Sequence, residues 1–178
     1  MKTKIIYFLA FSTLFGGCDL LKNATEVTIS TALKADIPVV VVSGKKSIDQ
    51  TVEVNAVVFT KTQDLTLASN TDIEPYLAKI KDINLNSLVV TITGLSSVQT
   101  INSVSLDVTG VGNIFTQTNI TMTNNSFTPV IATGKLDQVA TKLSSDKKIT
   151  LTVSGNVSGA MTFTVSLNFD TDVVANVL

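Results

Sequence analysis

The sequence predicts an all-β fold: an antiparallel β-sandwich, immunoglobulin-like or jelly-roll, with two short helices. Three observations predict it. Apolar and polar residues alternate with a period of two along most of the chain. Clusters of Gly, Asn and Ser interrupt these runs at short intervals. Two segments alone carry helical spacing. Together they give seven to nine short strands, the number that suits two stacked antiparallel sheets.

In chain order, Val27, Ile29 and Thr31 lead to Leu33 on one face of a first strand. The run Ile37 to Val42 (IPVVVV) is expected to be too apolar to face water, with Pro38 marking its start as an edge or a bend. After a turn at Ser43-Gly44, Val52, Val54, Ala56 and Val58 alternate, while Val57 and Phe59 add apolar bulk to the opposite face. A first helix is expected over Asp72–Ile80, with Asp72 as cap, Pro75 in the first turn, and Ile73, Tyr76, Leu77 and Ile80 at helical spacing. Strands return at Leu88, Val90 and Ile92 and at Val104, Leu106 and Val108, followed by a turn over Thr109–Asn113. Ile120 and Met122 give a shorter strand before the turn Asn124-Asn125-Ser126. Leu136, Val139, Ala140 and Leu143 mark the second helix. Both helices are read as plugs at an end or crossover of the sandwich.

Ile149, Leu151 and Val153 precede the loop Gly155–Gly159, which reads as a hairpin connection to the cleanest strand. In that strand Met161, Phe163, Val165, Leu167 and Phe169 share one face and Thr162, Thr164, Ser166 and Asn168 the other. A membrane barrel is rejected, because the scattered aromatics form no girdle and the polar face is rich in Thr, Ser and Asn.

The amino terminus reads differently. Lys2 and Lys4 precede eleven uncharged residues, IIYFLAFSTLF, too short to cross a bilayer as a helix. Gly16-Gly17 then stands directly before Cys18, the only cysteine. A single cysteine cannot form an internal disulfide. The segment resembles the signal of a bacterial prolipoprotein, with Leu14 to Cys18 (LFGGC) as its lipobox, although Phe15 occupies a position where an aliphatic residue is more usual. The resemblance implies cleavage before Cys18 and diacylation of its thiol, which anchors more firmly than one acyl chain. It divides the chain into a signal peptide (1–17), a short tether (18–25) and a sandwich domain (26–178). Mature, the chain would have 178 − 17 = 161 residues and carry 13 − 2 = 11 lysines against 14 acidic residues, a net charge of −3.

Composition narrows the function. The chain has no His, no Trp and, read along its length, no Arg. It therefore has no proton shuttle near neutral pH, no imidazole metal ligand and no bidentate guanidinium for phosphate or carboxylate. A slightly acidic chain lacks the footprint of a nucleic-acid binder. The expectation is a protein that is not an enzyme, needs no cofactor and binds no nucleic acid.

The motifs present are inexpensive. Ser43–Lys46 and Ser144–Lys147 both match S-x-x-K, the serine–lysine arrangement of penicillin-binding enzymes, but no partner motif accompanies them and both are read as solvated turns. Asn-x-Ser/Thr at Asn23, Asn119, Asn124 and Asn156 arises by chance in so Thr-rich a chain. Asp170 and Asp172 are the candidates for a calcium site. With Asn168 they point outward at alternate positions, about 6.6 Å apart, too far to converge without a curl. They are read instead as a polar face running into a turn. Phe59, Phe115, Phe127, Phe163 and Phe169 would line any pocket between the sheets, although core packing explains them equally well.

Thr and Ser on the strand faces keep them soluble with little charge, and only 15% of residues are charged. Such faces cost little to desolvate against another protein. The function expected is therefore a lipid-anchored, non-enzymatic accessory subunit of a cell-envelope assembly; the alternative is a lipid- or glycan-binding module. Asp19 resembles the inner-membrane retention signal of enteric bacteria. The lack of arginine and abundance of Lys, Ile, Asn and Thr point outside the enterics, which favours the outer membrane.

Overall fold

In the computed structural model, the residues described are 25–42, 57–96, 99–118, 120, 122 and 125–177. Among the described residues eight strands run in the order β1 (Glu26–Val41), β2 (Val57–Thr66), β3 (Ile80–Thr93), β4 (Ile101–Val108), β5 (Gly112–Thr118), β6 (Ser126–Phe127), β7 (Lys148–Val157) and β8 (Met161–Asn176). Two 3-10 segments, Leu67–Ser69 and Glu74–Lys79, separate β2 from β3, and one helix, α1 (Lys135–Asp146), separates β6 from β7. The strands form two four-stranded antiparallel sheets, sheet A in the order β1-β8-β3-β6 and sheet B in the order β2-β7-β4-β5.

The pairings identify the topology. β1 pairs with β8, β2 with β7, β3 with β6 and β4 with β5. The chain is thus one long antiparallel ribbon folded at the β4–β5 turn and wound so that β8 also meets β3 and β7 also meets β4. That is a jelly roll, one of the two sandwiches the sequence allows, and not the immunoglobulin arrangement of two unequal sheets.

Alternation builds the core. In β8, Met161, Phe163, Val165, Leu167, Phe169, Thr171, Val173 and Ala175 are all buried, so the strand covers the interior along its full length. In β3 the buried set changes parity, from Ile83 and Leu85 to Leu88, Val90 and Ile92. A bulge between Leu85 and Ser87 absorbs the extra residue and keeps both sets on the core side. Helix α1 buries Val139, Ala140 and Leu143 and lies against β3 and β7, filling the crossover as expected. Because β6 is only two residues long, α1 also covers much of β3 that a full strand would otherwise meet.

Several expectations need correction. Ile37–Val42 does not avoid water. β1 runs on through Val41 as one strand at the edge of sheet A, and the two-residue period leaves Val40 57% exposed, and Val42 just past the strand 74% exposed, while Ile37, Val39 and Val41 are buried. Pro38 does sit in an edge strand, where its missing N–H is tolerated. In β2 the faces are reversed: Val58 is 69% exposed and Phe59 is buried, its ring edge-on to Phe163 with centroids 5.3 Å apart. Pairing with β7 sets this register and brings Phe59 over Gly155, which has no Cβ to obstruct the ring.

Glu74–Lys79 is a 3-10 helix and not α; Ile73 occupies the cap position, while the Asp72 carboxylate accepts a hydrogen bond from Thr31 at 2.9 Å. Gly155–Gly159 is not a hairpin loop. Gly155, Asn156 and Val157 belong to β7, and the three residues that follow carry the chain to the other sheet, because β7 and β8 already have two partners each. Ile120 and Met122 are half-buried against the core but belong to no strand. The turn at Ser43-Gly44 and the positions Val52, Val54 and Ala56 lie outside the described residues.

Candidate functional site

The sandwich offers two outer sheet faces, and their chemistry differs. On sheet B the ladders align residues into rows across all four strands. One row is Val58, Asn156, Ser103 and Thr118; the next is Thr60, Ser154, Ser105 and Thr116; the third is Thr62, Thr152, Asp107 and Asn113. Ten of these twelve positions are hydroxyl or carboxamide side chains, and Asp107 is the one charge among them. Neighbours lie about 4.8 Å apart across the strands and rows about 6.8 Å apart along them.

Part of this array is already ordered. Asn113 Nδ2 donates to Ser105 Oγ at 2.8 Å, and the Ser105 and Thr116 hydroxyls share a hydrogen bond at 2.9 Å. At the end of the face the Asp64 carboxylate accepts from Thr150 at 2.7 Å and from Lys148 at 3.2 Å. Those two contacts, the hydroxyl first, hold its pKa below the ordinary 3.8. A surface of preordered hydroxyls costs little side-chain entropy to cover and little charge to desolvate.

Sheet A carries its acids here. Asp172 Oδ1 accepts from Ser30 Oγ at 2.5 Å, and its Oδ2 accepts from Asn86 Nδ2 at 2.9 Å. These bonds, Ser30 foremost, hold its carboxyl below the ordinary range. Asp36 accepts from Ser166 at 2.6 Å. Asp170 stands exposed on the same strand, between Ala32 and Ser87.

The two calcium candidates thus lie well inside β8, which continues to Asn176, and not at a turn. Both Asp172 oxygens are engaged by protein donors. Among the described residues no group of three or more acidic or cysteine side chains converges as a metal site.

The other candidates disperse. Phe59, Phe115, Phe163 and Phe169 are buried and Phe127 is half-buried; Phe115 and Phe127 stack edge-on with centroids 6.2 Å apart. They are core residues. Three surface depressions are formed respectively by Thr31–Lys34 with Ser69–Asp72, by the exposed side of α1 with Gly110 and Val111, and by Thr62–Asp64 with Thr150, and no phenylalanine lines them.

Ser144 belongs to α1 and Lys147 is its C-cap, with the ammonium donating to the Ser144 carbonyl at 2.5 Å; this is a helix end and not a solvated turn. Asn156 is tied to Ser103 through its backbone and side-chain nitrogens. Cys18, Asn23, Ser43–Lys46, Asn119 and Asn124 lie outside the described residues. Among the described residues, no helix is long and apolar enough to cross a membrane.

The alternation of Thr and Ser announces a polar face in sequence, but the rows themselves depend on cross-strand register between segments up to about a hundred residues apart, which no local pattern encodes. The Ser30–Asp172–Asn86 link is of the same kind.

No family model matches this chain, and no curated protein matches it. Among solved structures, a chain titled Desmodium yellow mottle tymovirus is similar over 100% of this chain and 94% of its own, at 11% identity and a TM-score of 0.29. A likeness that distant carries no argument about function.

Proposed function

We propose that the protein is a lipid-anchored, non-enzymatic accessory subunit of a bacterial cell-envelope assembly, held to the membrane through Cys18 and favouring the outer membrane. The observation that carries this reading is the order of Lys2 and Lys4, an eleven-residue uncharged run, Gly16-Gly17 and Cys18. The hydroxyl rows of sheet B support the second half of it, as a low-charge face on which another envelope protein can seat.

The test is a gentle-detergent purification of the tagged full-length protein from its own membranes, repeated with Cys18→Ser and with Thr62→Lys/Ser154→Lys. Wild type is expected in the membrane fraction with a stoichiometric partner. Cys18→Ser should move to the soluble fraction, and the double lysine variant should stay in the membrane without its partner. Wild-type protein that elutes alone would sink the assembly reading.

A further inference from the structure

We propose that the sandwich stands end-on against a lipid bilayer, with the 3-10 helix Glu74–Lys79 as the surface that touches it. The proposal rests on the anchor at Cys18 given above.

Seven peptide units separate Cys18 from Thr25, whose carbonyl accepts a hydrogen bond from the Val177 N–H at 2.8 Å beside the start of β1. An extended chain covers about 3.5 Å per residue, so this tether reaches about 25 Å. The sixteen residues of β1 run about 50 Å. The far end of the ribbon, where Val41 faces Met161, therefore stays beyond the reach of an anchor held at the near end.

The near end is well defined. Val27 and Ile80 flank Ala175 from opposite sides of β8, and Lys81 bridges to Glu26 at 2.5 Å. The 3-10 helix leads directly into Ile80 and touches β8. It contains Pro75, Tyr76, Leu77 and Ala78, yet none of its residues is buried. Pro75 and Ala78 are exposed, Tyr76 and Leu77 are half-exposed, and Val177 at the same end is 39% exposed.

A tyrosine beside a leucine, followed by the long stem of Lys79, is a composition that settles at the boundary between headgroups and acyl chains. The docking is apolar and not electrostatic: Lys79 and Lys81 share this end with Glu26, Glu74, Asp72 and Asp82.

Acylation leaves the protein without a free thiol, so introduced cysteines report alone. Ala78→Cys, Ala160→Cys in the distal loop and Thr62→Cys on sheet B all replace exposed residues. Each is labelled with bimane in the full-length acylated protein and placed in phosphatidylethanolamine–phosphatidylglycerol nanodiscs containing nitroxide lipid. The label at position 78 should be quenched several-fold more than those at 160 and 62, and salt should change this little. Equal quenching at all three sites, or strongest quenching at 62, would overturn end-on docking. Intact mass separates the two readings: a Cys18 without its diacylglyceryl addition removes the anchor itself, whereas an acylated protein with an unquenched position 78 refutes the docking alone.

Discussion

Asp172 shows how a single side chain can tie distant parts of this ribbon together. Ser30 and Asn86 approach it from the strands on either side of β8, and both donate to the charged form. Its folded pKa therefore lies below 3.8, and so do those of Asp64, through Thr150, and Asp146, through Lys142. The stabilisation from a depressed carboxyl is present above its unfolded pKa and disappears as pH falls through the folded value. The melting temperature should thus decline below about pH 4. Asp172→Asn removes that titration, so its melting curve should be flatter across the same range, checked by calorimetry from pH 6 to pH 3. Gly155 is constrained by space: a Cβ there would lie 2.0 Å from the Ser103 carbonyl oxygen and 3.0 Å from the Phe59 ring. Gly155→Ala must push β7 away from β4, and we expect a loss of about 3 kcal/mol in urea unfolding.

At the scale of elements, the strands legible in the sequence are those with two partners. β8, β7 and β4 alternate cleanly because both edges are paired and one face is sealed; the one buried polar side chain among them, Thr171, donates its hydroxyl to the Phe169 carbonyl at 3.0 Å. Apart from the end of β7, where Gly155–Val157 read as a loop, the errors fall where that constraint relaxes. β1 and β2 are edge strands, so β1 tolerates exposed valines, and in β2 the runs on both faces look apolar enough to be core. The 3-10 helix carries the same apolar spacing as an α-helix but buries none of its residues fully, with Leu77 packed only in part against the core, too little to enforce the longer turn. Helix α1 was readable because Val139, Ala140 and Leu143 are sealed against sheet residues, which preserves the 3.6-residue stripe. Leu143→Ala empties a fully buried position in this helix, and a cost of about 3 kcal/mol is expected. If α1 protects β3 as argued, limited proteolysis of that variant should cut first within α1.

For the whole molecule, the sandwich class was legible but the winding was not, because every ribbon pairing except β4–β5 joins residues far apart in sequence. Ser30 and Asp172, for example, are separated by 142 positions. This winding makes the last strand the organiser of sheet A. Among the described residues β8 is the only ladder partner of β1, and it covers nearly all of β3, whereas β6 meets β3 at just two residues. A chain ending at Gly159 would keep sheet B complete yet leave β1 and most of β3 without ladder partners, and it would strip Phe59 of the Phe163 ring that packs on it. It should therefore lack cooperative unfolding in urea and be digested throughout by a protease at concentrations that spare the intact domain. Because native pairing waits for residues 161–176, refolding of the full domain should fall in the slow, millisecond-to-second range of non-local β topologies, read by stopped-flow tyrosine fluorescence. Cooperative unfolding of the truncated chain would show that sheet B folds independently and that β8 adds to an existing core instead of creating one.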